Sequence, residues 1–371
     1  MNRSRSLAVK CLLGWVLVLP VRVSSAESPN SAVLKSEKIF VTNDSGYSVT
    51  VYPTGKFGNL RPLLTYSNSD ALLGCPPDGA VLEHPSSIAL DGTGNIYVAN
   101  DGSWHRGYDS VTIFGKGKSP TDPPISAICA SGTTDKTGFA SLRGIAVDGK
   151  EYVYVINFGT IGDPSITIYP PGSNGNIAPV RTITGAATGL SQPAGVAIDS
   201  ARFIYAVNTD GGPVAPGGSI TIYAPDAEGN ATPVRVISGT SGSNLTDLDA
   251  PSAIALDPAG NIYVANNGST DGMGGADSVT IYATNSSGNV KPMARISGRL
   301  TKLQDPSAIA VDAIGNIFIV NDDSITVYPP GSNGNVAPAM RTSDGKLIKN
   351  AVIKGSLTDL DSPSGIAVSA K

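Results

Sequence analysis

One segment of fifteen residues returns along this chain at intervals of fifty to sixty residues, and that period limits the available folds more than any other feature. It reads SSIALDGTGNIYVAN at 86–100, RGIAVDGKEYVYVIN at 143–157, AGVAIDSARFIYAVN at 194–208, SAIALDPAGNIYVAN at 252–266 and SAIAVDAIGNIFIVN at 307–321. A sixth copy is split: its first half, SGIAV, stands at 364–368 and its second half, KIFVTN, at 38–43. The marker residues Ile88, Ile145, Val196, Ile254, Ile309 and Ile366 are therefore 57, 51, 58, 55 and 57 residues apart. So steady a period means stacked copies of one supersecondary unit.

Each unit holds four short strand signals; in the unit at Ser252 they are SAIALD, NIYVAN, DSVTIYA and PMARISG. β-branched and Tyr residues fill them, and Gly, Pro, Asn and Asp punctuate between them. No stretch keeps a helical period. Four strands per unit describe a propeller blade. Ile254 and Leu256 alternate with Ala253 and Ala255, as suits an inner strand beside a crowded axis. Charged residues make up only 15% of the chain, consistent with blades covered on both faces by neighbours. The split copy supplies the closure: SGIAV as inner strand and KIFVTN, SVTVY and LLTY as the outer three of one blade, which removes an exposed sheet edge. The expected fold is all-β, a six-bladed β-propeller of four-stranded antiparallel blades over 38–371. An open solenoid would leave half-units uncovered at both ends.

Residues 1–26 read as a secretory signal peptide, with Arg3, Arg5 and Lys10 before an apolar run from Cys11 to Val21 and Ser24-Ser25-Ala26 before the cut. Residues 27–37 read as a short linker. The apolar run is short of the ~20 residues a membrane span needs, and no later stretch is long enough. The expected address is secreted or periplasmic. Cleavage removes four bases and no acid, so the charge moves from −4 to −8. A surplus of acid excludes phosphate-led nucleic-acid binding. Two cysteines remain, Cys75 and Cys129, either a disulfide or two free thiols.

The string PSAIALDPAGNIYVAN at 251–266 resembles the NHL repeat, and is similar to the repeats of streptogramin (virginiamycin B) lyase and of the gluconolactonase-like propellers. The resemblance runs from about Lys38 to Ala370 and implies the propeller fold. For activity it implies several different things, because these families share architecture and not chemistry. The third unit departs from the pattern, with Leu142-Arg143-Gly144 where the others carry Pro or a small residue.

Two sets of polar residues repeat. Asp91, Asp148, Asp199, Asp257 and Asp312 follow the first strand, and Asn43, Asn100, Asn157, Asn208, Asn266 and Asn321 end the second. Either set could ring a ligand, but a residue demanded by every blade is expected to serve turns and strand ends. The residues that break the repeat carry more information. The second-to-third strand loop and the connection into the next blade vary, and both open on one face, the expected working face. The second unit is the outlier there, with Trp104, His105, Arg106 and Tyr108 in one loop and Glu83 and His84 in the connection leading in. These six are the candidate ligand-binding residues, since aromatic and Arg side chains dominate binding hot spots.

The expected role is a binding or interaction module for a protein, glycan or small molecule, acting as a monomer. The competing readings are a metal-assisted lyase or lactonase, with His105 as the general base, and a purely structural envelope protein. No Gly-x-Ser-x-Gly elbow or zinc spacing is present, so an enzyme is the less favoured reading. No cofactor is required. If an ion binds, Ca²⁺ or Mg²⁺ is expected on Asp-rich loops at Asp163, Asp210, Asp271 and Asp277, or Asp322 and Asp323.

Overall fold

The structure is a computed structural model that describes residues 37–67, 82–102, 109–129, 135–159, 163–210, 217–268 and 276–369. Ser36–Lys371 form one compact unit. The signal-peptide assignment, and all of the linker but Glu37, fall outside the described residues.

Six four-stranded antiparallel sheets account for the fold. Blade 1 joins the chain ends, in the order β26 (Pro363–Val368), β1 (Lys38–Asn43), β2 (Ser48–Pro53) and β3 (Leu64–Ser67). Blade 2 is β4 (Pro85–Leu90), β5 (Ile96–Asn100), β6 (Ser110–Phe114) and β7 (Ser126–Cys129). Blade 3 is β8 (Leu142–Val147), β9 (Val153–Asn157), β10 (Ser165–Tyr169) and β11 (Arg181–Thr184). Blade 4 is β12 (Pro193–Ile198), β13 (Ile204–Asn208), β14 (Ser219–Tyr223) and β15 (Arg235–Ser238). Blade 5 is β16 (Pro251–Leu256), β17 (Ile262–Asn266), β18 (Ser278–Tyr282) and β19 (Ala294–Ser297). Blade 6 is β20 (Ala308–Val311), β21 (Ile317–Asn321), β22 (Ser324–Tyr328) and β25 (Val352–Ile353). A separate hairpin, β23 (Ala339–Arg341) with β24 (Leu347–Lys349), interrupts blade 6 before its outer strand. That insertion was not visible in the repeat pattern, because its strand signals are too short to register.

The inner strands touch in sequence around the ring, and β26 meets both β20 and β4, so the ring is closed. The expected pairing of the two termini holds, with Ile39 opposite Val368 and Val41 opposite Ile366. The core is not one cluster but a layer in each of the six seams. One layer joins Ile39, Val41 and Tyr52 of blade 1 to Phe318, Val320 and Ile325 of blade 6. The other five repeat this between successive blades. Every residue of the second strands β5, β9, β13, β17 and β21 is buried, so these strands lose the apolar–polar alternation of a half-exposed sheet.

Two repeated devices lock each blade to the next. The Gly of the recurrent Gly-Asn turn donates its N–H to the outer strand of the preceding blade, as Gly229 does to Thr182 at 2.6 Å and Gly288 to Val236 at 2.6 Å. The adjoining Asn accepts from the next connection, as Asn230 does from Ala187 N–H at 2.7 Å. The Tyr ending the third strand donates its hydroxyl to a Thr carbonyl in the connection entering its own blade, Tyr223 to Thr188 and Tyr328 to Thr301 among them. Blade 2 lacks this device, since Phe114 stands where the others have Tyr.

Small residues line the narrowest part of the axis. Ser87, Gly144, Gly195, Ala253, Ala308 and Gly365 surround a space of about 80 Å³. A Cβ on Gly365 would lie 2.9 Å from the Ser87 Cα, and one on Gly144 would lie 3.0 Å from the Gly195 Cα. The inner strands are too close there for a side chain.

Candidate functional site

The repeated Asn residues are scaffold. All six are fully buried. In each blade the Asn Nδ2 donates to the Thr of the third strand, as Asn43 does to Thr50, Asn157 to Thr167 and Asn266 to Thr280, all at 3.1 Å. The Oδ1 accepts a backbone N–H in the connection seventeen residues upstream, from Ala140 to Asn157 and from Ser191 to Asn208, both at 3.0 Å. In blade 1 the partner is Asp361, across the closure. The Ser-x-Thr at the head of every third strand was the sequence signal for this bond.

The repeated Asp residues are scaffold too. Asp91 Oδ1 accepts from the N–H groups of Thr93, Gly94 and Asn95. Its Oδ2 accepts from Asn95 Nδ2 and the Tyr97 hydroxyl. Burial opposes ionisation of Asp91 and Asp148, but donors from the turn outweigh it, with Arg202 added at Asp148. Both carboxyls are held below their ordinary value. The stability they lend is present above the unfolded carboxyl pKa and is lost as pH falls through the lower folded value.

Beyond the Asn ring lies the loop-rich face, and there the six blades frame a cavity of about 750 Å³ that narrows into the axial constriction. Its wall repeats. A residue leading into the inner strand is left-handed in all six blades: His84, Ser141, Gln192, Ala250, Asp305 and Ser362 have φ between 46° and 54°. Such a conformation is uncommon for residues other than Gly and persists only when the surroundings enforce it. Here the carbonyls of His84, Ser141, Gln192, Ala250 and Ser362 each accept the N–H that follows the buried Asn. An inner Ser then stitches blade to blade: Ser252 Oγ donates to the Pro306 carbonyl and Ser307 Oγ to that of Pro363. In blade 4 Ala194 has no hydroxyl, and Thr209 makes the bond to Pro251 instead.

Charge is distributed unevenly around this wall. Asp305 and Asp322 come from blade 6, Asp44 from blade 1 and Asp101 from blade 2. Arg143, the departure in the third unit, stands in the inner ring where the others have Ser or Ala. Blade 3 lies across the ring from blade 6, so Arg143 faces the acidic side of the wall. The Arg143 guanidinium is held 5.2 Å from the Phe158 ring.

His84 is the predicted site residue that the structure places on this wall. Its Nδ1 lies 3.0 Å from Asp44 Oδ1 and its Nε2 3.2 Å from the Tyr47 hydroxyl. The Asp44 carboxylate can only accept, so Nδ1 carries a proton toward it, and Nε2 faces the Tyr47 hydroxyl. Glu83, in the connection before β4, donates its N–H to Asn100 Oδ1. Trp104, His105, Arg106 and Tyr108 lie outside the described residues, as does Cys75. Cys129 is disulfide-bonded, to a partner outside the described residues. Sequence reading missed Asp44, Tyr47 and Arg143. The first two are ordinary loop residues until the closure of blade 1 brings them to His84. Arg143 was visible as a break in the pattern, but its place in the ring was not.

The Asp-rich loops have structural partners. Asp277 accepts from the Asp305 N–H, and Asp323 pairs with Lys354 at 2.7 Å. Among the described residues no three His, Cys, Asp or Glu side chains converge. Asp271 lies outside them.

Asp109, beneath this wall, is the acid most displaced from its ordinary behaviour. Burial first, and then Asp101 and Asp135, push its carboxyl up to about 6, although the Ser141 N–H donates to it at 2.7 Å. The folded value is above the unfolded one, so stability falls as pH rises from about 4 to about 6 and is flat beyond. Asp109→Asn is expected to raise unfolding free energy at pH 7.5 by on the order of 2 kcal/mol and to change little at pH 4. Urea unfolding at the two pH values measures this; an equal effect at both would show that ionisation is not the cause.

The comparisons match the architecture. The crystal structure of a protein of unknown function from Bacteroides caccae aligns over 90% of this chain and 98% of its own, with a TM-score of 0.54 at 11% identity. A protein from Lactobacillus plantarum aligns over 90% and 99%, with a TM-score of 0.49 at 11% identity. The PQQ-bound form of aldose sugar dehydrogenase from Streptomyces coelicolor aligns over 77% and 94%, with a TM-score of 0.47 at 16% identity. At such identities the likeness is one of fold. No protein-family model matches the sequence, and no curated protein matches it.

Proposed function

We propose that this propeller is a binding module whose ligand site is the mouth of the axial channel on the loop-rich face. The observation that carries the reading is the segregation of charge around the 750 Å³ cavity, with Arg143 opposite the Asp305 and Asp322 carboxylates. The buried Asn and Asp residues that repeat in the blades are bonded within the scaffold, so the residues left to meet a ligand are those that differ from blade to blade. A compact dipolar ligand suits such a wall: its anionic group against Arg143, its cationic or donor group against the acids. An extracytoplasmic address fits the leader-like residues 1–26 and the disulfide at Cys129.

Trp104 is the one Trp beyond residue 26, so the fluorescence reports on the connection between β5 and β6. Titration with zwitterionic peptides, neutral sugars and lactones is expected to give a saturable change with the first class. Arg143→Ala is expected to weaken that binding about tenfold, the worth of one charge-assisted contact. A flat response to all three classes from folded protein would overturn the reading in favour of a structural role.

The Tyr47–His84–Asp44 chain favours a second reading, a lyase or lactonase. Asp44 would hold the tautomer in which His84 draws the proton from Tyr47, leaving the phenolic oxygen as base. Turnover of lactones or cyclic peptides that is lost in Tyr47→Phe, with binding retained, would establish it. Loss on EDTA treatment would separate a metal-assisted mechanism from a metal-free one.

A further inference from the structure

We propose that the seam between blades 2 and 3, on the short-turn face opposite the mouth, is a docking pocket for an arginine side chain of a partner polypeptide. The chain's own repeats show what such a seam holds. Between blades 3 and 4, Arg181 Nη1 donates to the carbonyls of Pro225 and Ala227 at 2.6 and 3.3 Å. Beside it Arg202 donates from Nε to Asp148 at 2.6 Å and from Nη2 to the Tyr154 hydroxyl at 3.2 Å. Between blades 4 and 5 a single Arg235 does both jobs, reaching the Thr284 and Ser286 carbonyls at 2.7 and 3.4 Å and the Tyr205 hydroxyl at 3.2 Å.

The seam between blades 2 and 3 keeps the acceptors and lacks the cations. Tyr97 stands at the position of Tyr154 and Tyr205, and Asp91 at that of Asp148. The turn carbonyls equivalent to those of Pro225 and Ala227 belong to Pro171 and Ser173. Ser126 replaces Arg181 and Arg235, and Glu151 replaces Arg202. The Ser126 hydroxyl reaches the Ser173 carbonyl at 2.8 Å and Asn174 Oδ1 at 3.2 Å. What remains is a cavity of about 350 Å³ lined by Tyr97, Ile113, Ile125, Glu151 and Ser173 among others. Ile125, at its rim, is 52% exposed.

A seam that had merely lost its arginines would keep one carboxylate, that of Asp91. This one gains a carboxylate where its neighbour carries a guanidinium, so its charge is reversed. Burial, then Asp91 and Glu151, hold the Tyr97 phenol above its ordinary pKa, as a pocket of negative potential requires. The stem of an incoming arginine would lie on Ile113 and Ile125, and its planar head would meet the turn carbonyls, the Tyr97 ring and Glu151. A lysine offers one point charge and no fork for two carbonyls.

The test uses the chain from residue 27 onward and an acetylated, amidated Gly-Arg-Gly peptide, followed by calorimetry or amide NMR. Saturable binding is expected, about tenfold weaker for the citrulline analogue, which keeps the shape and loses the charge. Glu151→Gln is expected to weaken binding by a similar factor. Ser126→Arg should fill the pocket as Arg235 fills its own, raising the melting temperature and abolishing peptide binding. Should that variant misfold, Glu151→Lys replaces it: an exposed charge reversal that leaves melting unchanged and abolishes binding. Arg143→Ala, at the mouth, should leave peptide affinity as it is, which separates this site from the one above. Equal affinity for arginine and citrulline peptides, or full affinity in folded Ser126→Arg or Glu151→Lys protein, would overturn the proposal.

Discussion

Removing residues 363–371 is expected to abolish cooperative folding. The segment is small, yet β26 is the inner strand of blade 1, the partner of β1 along its length and the neighbour of β20 and β4. Its loss strips Ile366 from the layer that joins blades 1 and 6 and bares the edge of β1. Burial of one Ile side chain contributes about 2–3 kcal/mol. Each of several ladder bonds adds about 1 kcal/mol. Together these rival the 5–15 kcal/mol that holds a typical protein folded. The truncated protein should show no cooperative melt and no near-ultraviolet dichroism. A circular permutant that joins the natural ends and opens the chain at Asp344, at the exposed tip of the β23–β24 hairpin, should melt like the parent. A truncated protein that melts within about 5 °C of the full chain would mean that closure is not what organises the ring.

The second large effect is expected at a residue that touches no ligand. Asn266→Ala removes the donor to Thr280 and the acceptor for the Asp249 N–H in a fully buried site. Two buried hydrogen bonds are lost, each at about 1–3 kcal/mol, and a small cavity adds to them. A loss of about 3–4 kcal/mol is expected by urea unfolding. Arg143→Ala, exposed at the mouth, should change stability by less than about 0.5 kcal/mol. The contrast separates the repeated polar residues, which build the mouth, from the unrepeated ones, which face it. If Asn266→Ala unfolded like the parent, the Asn ring would have to be reassigned to function.

Much of the fold was legible because a repeat writes the same physics six times. Ile88 and its counterparts at 145, 196, 254, 309 and 366 mark one strand position in six seams. The split of the sixth copy announced how the ends meet. The Asn and Asp rings were also readable as scaffold, because a group needed in every blade answers a need that every blade shares. The hairpin inserted into blade 6 was not readable, since β23 and β24 belong to no repeat.

The candidate sites divide the same way. His84 could be picked out as a rare residue in a variable connection. Its partners could not, because Asp44 and Tyr47 are about forty residues away and reach it only across the seam between blades 1 and 2. The acidic side of the mouth gathers Asp44, Asp101, Asp305 and Asp322, which are spread over nearly the whole sequence. Ser126 and Glu151 look unremarkable until the seam is compared with those holding Arg181, Arg202 and Arg235.

The sequence by itself determined the blade, the number of blades and the way the ring shuts, because those follow from local strand propensity and from a period counted along one dimension. Only the tertiary structure decided which charges share the mouth and which seam sets Glu151 near Asp91 where its neighbour holds cations. Those are distances between residues on different blades, set by how six rigid sheets pack around an axis, and no pattern along the chain encodes them.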